Sequence, residues 1–207
     1  MMLGSDGEEV AWEPRQLIDS DVCRIAEGTL GEGRMNIPES YDYLVRARRD
    51  LWATLEGVAD EVLSRPLLGG AKLHCIKDLL FHVASVEDFW LHEEILREQP
   101  VWQTIPVFKD TPGGPVYAGF ALETLLDYWR VVEQSSLTYL PTLTDDELKR
   151  VVSVHDRPGK RYTVDGLLWN LVIHEARHVA QISVLLRTQG IEPPFLDLLN
   201  YLPVPSA

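Results

Sequence analysis

Two histidines spaced four residues apart are the strongest chemical signal in this sequence. His174 and His178 lie in the segment H-E-A-R-H, within a run of apolar residues at helical spacing. Residues four apart on a helix face the same way, one turn apart, so both imidazoles could bind one metal ion. A third ligand is needed, and His82 is the best candidate because it lies midway along another predicted helix, on its apolar face. The pattern predicts a divalent transition-metal site formed by these three histidines.

The alternative interpretation is that the histidines belong to the core. A lone histidine on an apolar face is often neutral and satisfied by a hydrogen bond, and for His82 taken alone that is the simpler explanation. The pair at i and i+4 weakens this explanation for the other two. His74 and His92 point away from His82 on the same predicted helix, so both are assigned structural roles. His155 is also assigned a structural role, although from its connection it could reach the mouth of the site.

The same segment matches H-E-x-x-H, the zincin metalloprotease motif in which the glutamate is the general base. The match is weak because no third histidine follows at the spacing of the metzincins. A downstream glutamate ligand would have to be Glu192, which lies in a Gly-Ile-Glu-Pro-Pro turn. The chain also lacks the sheet against which a protease substrate usually lies extended. We therefore expect no protease activity.

Four long amphipathic segments must position these histidines. Apolar residues at helical spacing, bounded by proline and glycine, predict helices over residues 39–63, 73–97, 118–140 and 163–189. The connection over residues 98–117 holds four prolines and cannot be a helix interior. Fully extended it could span roughly 65 Å, more than the roughly 37 Å of a long helix, so the third helix can start parallel to the second. With a second long connection over residues 141–162, read as turns, the sequence predicts an all-α four-helix bundle with long crossover connections.

The composition limits the partners and the compartment. Residues 1–37 are rich in Gly, Asp and Glu with weak periodicity, and we expect a partly ordered extension before a bundle domain over residues 38–207. The net charge of −13 repels phosphate backbones and anionic membranes, so neither nucleic acid nor a membrane is expected as a partner. No secretory signal is visible, and Cys23 and Cys75 offer no disulfide framework, which favours a reducing, cytoplasmic setting.

Two segments resemble the DinB-like (YfiT-type, DNA-damage-inducible) superfamily. LHCIKDLLFHVASVEDFW resembles its second helix, in which a histidine in an apolar run precedes acidic and aromatic residues. YTVDGLLWNLVIHEARHVAQISVLLRTQG resembles its last helix, with an H-x-x-x-H pair followed by Gln-Ile, Leu-Leu-Arg and a closing Gly. The resemblance covers about residues 40–190, with Ala180 where relatives usually have glycine. It implies a four-helix bundle, a metal held by His82, His174 and His178, and frequent homodimers.

The resemblance also suggests activities. Some members transfer low-molecular-weight thiols such as bacillithiol or mycothiol to electrophiles, one branch isomerises maleylpyruvate with a thiol cofactor, and many have no assigned activity. Three neutral imidazoles leave the ion its full charge and leave coordination positions open, where a thiol or a water would be activated. The leading hypothesis is a metal-dependent thiol transferase acting on a small-molecule substrate, with Zn, Ni or Fe as the ion; imidazole ligands favour Zn, Ni and Cu over Mn. A metal-dependent hydrolase and a non-catalytic metal or small-molecule binding protein are the alternatives.

Three polar residues near the pair have predicted roles. Gln181 lies about 20° from His174 on the helical wheel and Asn170 about 40° on the other side. Either could orient a metal-bound water or an imidazole ring, or each could be a buried amide that satisfies backbone groups. Glu175 lies about 100° from His174, so we expect it to flank the site or to be solvated.

Overall fold

The computed structural model describes residues 36–69, 73–109, 119–155 and 157–202. The extension expected over residues 1–37 lies almost wholly outside these ranges. The helices of the described part are α1 (Ile37–Glu56), α2 (Asp60–Leu63), α3 (Ile76–Asp88), α4 (Pro106–Lys109), α5 (Leu122–Tyr139), α6 (Asp145–Lys149) and α7 (Val164–Thr188). A hairpin of β1 (Val151–Ser153) and β2 (Arg161–Thr163), a π-helix (Phe89–Leu96) and short 3₁₀-helices (Val101–Thr104, Leu140–Thr142, Leu198–Asn200) complete the regular structure of the described part. The predicted all-α four-helix bundle is confirmed, with α1, α3, α5 and α7 as its long helices.

The first predicted helix is broken near its C-terminus. Its start is set by Asn36, whose side chain accepts a hydrogen bond from the backbone N–H of Glu39 at 2.9 Å, and the Glu39 carboxylate in turn accepts from the backbone N–H of Asn36. At Gly57 the α1 hydrogen-bond pattern ends, and the chain is extended at Ala59 before the short α2 begins. The prediction of one helix over residues 39–63 was therefore wrong. The physical reason is that glycine is unfavourable in a helix interior, so the helix breaks at Gly57.

The second predicted helix changes its winding halfway. It begins at Ile76 and continues beyond Asp88 as a π-helix, Phe89–Leu96, which ends at Arg97 in a left-handed conformation with φ of 61°. Asp88 is completely buried, and its carboxylate accepts hydrogen bonds from the backbone N–H groups of Val101 and Trp102, both at 2.9 Å. The start of the proline-rich connection is thereby tied back onto this helix.

The crossover predicted from the first long connection is present. The ring of Phe81 stacks on that of Tyr128, and further along both helices the Ser136 hydroxyl donates to Glu87 at 2.7 Å. The residue numbers rise together, so α3 and α5 run parallel. Helix α1 also packs against α5, where Arg48 pairs with Glu133 and Glu56 pairs with Arg130. The residue numbers rise along α1 as they fall along α5, so these two helices are antiparallel.

The second connection is more regular than the predicted turns. The segment read as turn-like after Leu143 forms α6, and residues 151–163 form the hairpin, in which Val152 pairs with Tyr162. Gly159, with φ of 80°, lies in the hairpin turn, where an L side chain would be strained. Thr163 then caps α7 by accepting from the backbone N–H of Gly166 at 3.1 Å. The hairpin was missed because three-residue strands carry almost no periodicity.

The apolar interior consists of two clusters. One lies around Leu51, Trp52 and Trp129, and the other around Leu44, Trp90 and Leu168. Burying each large apolar side chain contributes about 1.5–3 kcal/mol relative to leaving it exposed, so these clusters contribute much of the free energy that holds the four helices together. No helix in the described ranges is long and apolar enough to cross a lipid bilayer.

Candidate metal centre

The three histidines predicted from sequence converge between α3 and α7. Each can offer one ring nitrogen such that the three nitrogens lie within 4.8 Å of one another. The Nε2 atoms of His82 and His174 are 3.2 Å apart, and the ring centroid of His178 lies 4.4 Å from that of His174 and 4.8 Å from that of His82. All three side chains are partly buried. We refer to His82, His174 and His178 as the triad.

The surroundings hold the triad in its neutral form. Burial lowers the pKa of His174 to about 3, with further contributions from the neighbouring histidines and Arg177. Burial also lowers the pKa of His82, aided by His178. At His178 burial lowers the pKa, the hydrogen bond with Gln181 partly opposes this, and the charge of Arg177 adds to the lowering. Only a neutral imidazole has a free lone pair for a metal ion. At neutral pH the triad therefore presents unprotonated nitrogens.

The donor set fits a divalent transition metal. A metal–imidazole bond of about 2.0–2.1 Å in tetrahedral geometry places ligand nitrogens roughly 3.4 Å apart, and His82 and His174 are already at 3.2 Å. Three protein nitrogens leave at least one coordination position for another ligand. The nitrogen of His178 lies within 4.8 Å of the other two, so the three must draw closer together to bind one ion.

Two other predicted neighbours differ in their contacts. The Nδ1 atom of His178 lies 2.6 Å from Oε1 of Gln181, so Gln181 orients a triad ring as predicted and favours the tautomer that carries its proton on Nδ1. The side chain of Asn170 is exposed one turn before His174. Among the described residues no hydrogen bond joins Asn170 to the triad, so the structure gives it no orienting role.

The remaining histidines lie apart from the triad, as predicted. His74 is bonded through Nδ1 to the backbone oxygen of Leu68 at 3.3 Å, and His92 pairs with Asp88. The exposed ring of His155 contacts Glu94 and Arg97, more than three helical turns along the second helix from His82. The idea that His155 could reach the mouth of the site was therefore wrong.

Glu175 occupies a place that the sequence did not indicate. It was expected to flank the site or to be solvated, but it is only 4% exposed, and both of its carboxylate oxygens accept hydrogen bonds from Arg48. The HEARH glutamate is thus engaged by a guanidinium and is not free to act as the general base of a zincin. This contact supports the interpretation that the motif match is accidental.

Arg48 is the centre of a buried ionic cluster that the sequence analysis missed. It is 1% exposed and pairs with three buried glutamates, at 2.8 Å with Glu87, at 3.1 Å with Glu133, and with Glu175. Arg49 contributes a second guanidinium to Glu133. We call this group the Arg48 cluster. One available signal was that Arg48 interrupts the apolar stripe of α1, where a charge requires buried partners.

The Arg48 cluster separates the two apolar clusters of the bundle and lies directly beside the triad. Leu44 and Leu51, on either side of Arg48 on α1, belong to different apolar clusters. On α7 the cluster and the triad are adjacent, because Glu175 directly follows His174 in sequence. The candidate metal centre is therefore bounded on one side by buried charged groups that pair with one another.

Comparison with known proteins identifies the relatives of this chain. The model of the DinB family matches residues 30–204. An uncharacterized protein of Bacillus subtilis (strain 168), YizA, is 28% identical over 151 residues, which cover 70% of this chain and 83% of YizA. The residues matched by the DinB family model include all three triad positions.

Solved structures share the fold. A conserved protein from Enterococcus faecalis aligns with a TM-score of 0.59 at 17% identity, over 75% of this chain and 97% of that one. YfiT from Bacillus subtilis, described as a probable metal-dependent hydrolase with an unusual four-helix bundle topology, aligns with a TM-score of 0.55 at 21% identity, over 81% and 97% of the two chains. A DinB-like protein from Bacillus cereus aligns with a TM-score of 0.50 at 18% identity, over 77% and 96%. At these identities the likeness concerns the fold.

Proposed function

The chain belongs to the DinB family, and we propose that it is a divalent-metal-dependent enzyme whose ion is held by His82, His174 and His178. The observation that carries the proposal is the convergence of three neutral imidazoles from two helices onto one point. Three histidines without a facing carboxylate would repel one another if protonated. A shared metal ion explains why three such residues are grouped between two helices.

The reaction that we propose is transfer of a low-molecular-weight thiol to an electrophile. A divalent ion bound here would lower the pKa of a thiol or a water that enters its open positions. The thiolate sulfur would attack an electrophilic carbon, a C–S bond would form, and the leaving group would depart with its electron pair. Gln181 would hold the ring of His178 in a fixed orientation throughout.

Arg177 is suited to bind an anionic part of the thiol. It lies between the two α7 ligands in sequence, it is exposed, and its charge is close enough to lower the pKa of both His174 and His178. We expect Arg177→Ala to raise the KM for an anionic thiol roughly two- to fivefold, the size typical of an exposed charge pair. The variant should keep its metal content, since the guanidinium is not a ligand.

Metal-dependent hydrolysis is the second candidate. It is favoured by the structural likeness to YfiT, which is described as a probable metal-dependent hydrolase. The triad would serve this reaction equally well, because the same open position admits water. The two candidates differ in what is consumed, thiol in one and ester or amide in the other.

Elemental analysis of the purified protein, followed by parallel activity screens, tests the proposal. We expect about one equivalent of Zn, Ni or Fe per chain, metal-dependent loss of free thiol with a panel of electrophiles, and loss of both in His82→Ala. His155→Ala is the matched control, because His155 is an exposed histidine outside the triad. Ester cleavage without thiol consumption would favour the hydrolase. Metal binding without turnover of either kind would leave a binding protein and contradict the enzymatic proposal.

A further inference from the structure

A small cavity lies between the triad and the Arg48 cluster. Its volume is about 10 Å³, and its wall includes His174, Glu175, Glu87 and Val83. One water molecule needs at least roughly 10–15 Å³ and two to four polar partners, so this cavity is just large enough for one, and its polar partners must come from the histidine and the carboxylates rather than from Leu44, Val83 and Leu171. Its wall therefore brings a triad imidazole and two buried carboxylates to the same small space.

The two carboxylates on this cavity differ in how fully they are used. Glu87 accepts from four donors, namely Tyr41, Arg48, Trp129 and Ser136. A carboxylate has about four acceptor sites, so Glu87 has none to spare. Among the described residues, Glu175 accepts only from the Nε and Nη2 groups of Arg48, which leaves about half of its acceptor capacity.

His174 has a corresponding free donor. Its Nε2 faces Nε2 of His82 at 3.2 Å, which directs that nitrogen to the triad. Its Nδ1 has no hydrogen-bond partner among the residues that the structure describes. An imidazole that binds a metal through Nε2 carries its proton on Nδ1, and that N–H is almost always bonded to a carboxylate, a backbone oxygen or a water.

We propose that Glu175 is a positioning residue for His174, acting through a single water in this cavity. The Nδ1–H of His174 donates to the water, and the water donates to the unused acceptor sites of Glu175. Arg48 fixes the carboxylate from its other side, so a rigid chain runs from the buried ionic cluster to the metal ligand. The inference rests on the proposed metal site and gives the HEARH glutamate a role distinct from that of a protease base.

The expected effect is on metal affinity. Loss of a partner that orients a metal-bound histidine typically weakens metal binding 10- to 100-fold. Glu175→Gln keeps the size of the side chain and removes its charge, so we expect the Kd for Zn²⁺ to rise within that range. Glu133→Gln is the matched control, because Glu133 is an equally buried partner of Arg48 that does not border the cavity. Its Kd should change less than threefold.

A cavity-filling variant distinguishes the effect of the water on metal affinity from the effect of the Glu175 charge. Val83 is buried and borders the cavity, so Val83→Ile adds a methylene at its wall without altering any charge. If the water carries the link, this variant weakens Zn²⁺ binding as Glu175→Gln does. Unfolding curves of the metal-free proteins verify that all variants are folded before the affinities are compared.

Nuclear magnetic resonance of the Zn²⁺-loaded protein supplies a readout that a purely structural role would not move. We expect a slowly exchanging Nδ1 proton on His174 in the unaltered protein and in Glu133→Gln, and rapid exchange of that proton in Glu175→Gln and Val83→Ile. Equal affinity and equal exchange in Glu175→Gln and Glu133→Gln would overturn the inference. Absence of Zn²⁺ binding by the unaltered protein would instead overturn the proposed metal site.

Discussion

His92 and the triad place the same side chain in opposite electrostatic surroundings. His92, which is 6% exposed, has its Nδ1 atom 2.7 Å from the carboxylate of Asp88. Burial alone would lower the pKa of His92, but the hydrogen bond and charge of Asp88 outweigh it and raise the pKa. In the triad, burial is the largest influence and neighbouring imidazole or positive groups add to it, so all three pKa values are lowered, although the hydrogen bond with Gln181 partly opposes the shift at His178.

The difference separates a structural histidine from a candidate ligand. A protonated His92 stabilises Asp88, the anchor for the backbone of the first connection, and its Nδ1 is unavailable to a metal. A neutral triad nitrogen faces other nitrogens and is available. His82 and His92 belong to the same predicted helix, and the group that each ring faces, a nitrogen or a carboxylate, distinguishes their roles.

The largest expected effect is the loss of bound metal when triad histidines are replaced. His178→Ala, and the double variant His82→Ala, His174→Ala, should lower metal occupancy from about one ion per chain to near zero, because fewer than three protein ligands do not hold a catalytic ion tightly. His155→Ala should retain it. Elemental analysis after gel filtration measures the result, and full occupancy in the double variant would exclude this site.

Asp88→Asn should affect stability and leave the metal site intact. Removing one partner of a buried ion pair costs about 3–5 kcal/mol, and the same carboxylate also accepts from the Tyr128 hydroxyl at 2.8 Å. The free energy of unfolding in urea should fall by that amount, while the Kd for metal changes less than threefold. Asp127→Asn, at an exposed pair with Arg130, should cost less than about 1 kcal/mol. A large loss of metal affinity in Asp88→Asn would show that the two regions are coupled.

Metal removal should have a smaller effect on stability. An ion in hundredfold excess over its Kd stabilises the folded chain by roughly 2.7 kcal/mol, which corresponds to a rise in Tm of about 5–10 °C for a chain of this size. At pH 7.5 a chelator should therefore lower Tm by that amount and leave a cooperative transition. Most of that difference should persist at pH 5, because the pKa of His174 is about 3 and the pKa values of His82 and His178 are lowered, so protonation competes with the metal less than it would at ordinary imidazoles. Coinciding curves at both pH values would restore the core-histidine interpretation.

The smallest effect concerns the pH dependence of the metal-free protein. The folded-state pKa of His174 lies below its ordinary value of 6.5, so the unfolded chain binds the proton first and stability falls as pH drops below about 6.5. The pKa of His92 is raised, so its contribution is present below about 6.5 and is lost as pH rises through the folded value. Each contribution should be within about 1 kcal/mol after solvent screening.

Two single variants separate these contributions. With chelator present, His174→Gln should lose less stability than the unaltered protein on acidification from pH 7.5 to 5, and His92→Gln should lose more. Urea unfolding at each pH measures the difference. Identical slopes in the two variants would contradict the opposite pKa shifts.

Much of this architecture could be predicted because it depends on local repetition. Apolar stripes with a period near 3.6 located the four long helices, and the length of the proline-rich connection allowed the parallel arrangement of α3 and α5. The pair at i and i+4 placed His174 and His178 on one face, since helical geometry depends on few dihedral angles. His82 was predicted from its place on an apolar face and from the family resemblance.

Other features depend on contacts between distant residues. The π-helix over Phe89–Leu96 and the short hairpin leave no clear periodic signal in the sequence. The Arg48 cluster joins residues from all four long helices, and nothing local to Glu175 indicates that a guanidinium from α1 will meet its carboxylate. The sequence by itself determined the bundle and the three candidate ligands, because helical periodicity is local. Only the tertiary structure decided which histidines face nitrogen and which face a carboxylate, because a pKa depends on the groups that folding brings within a few ångströms.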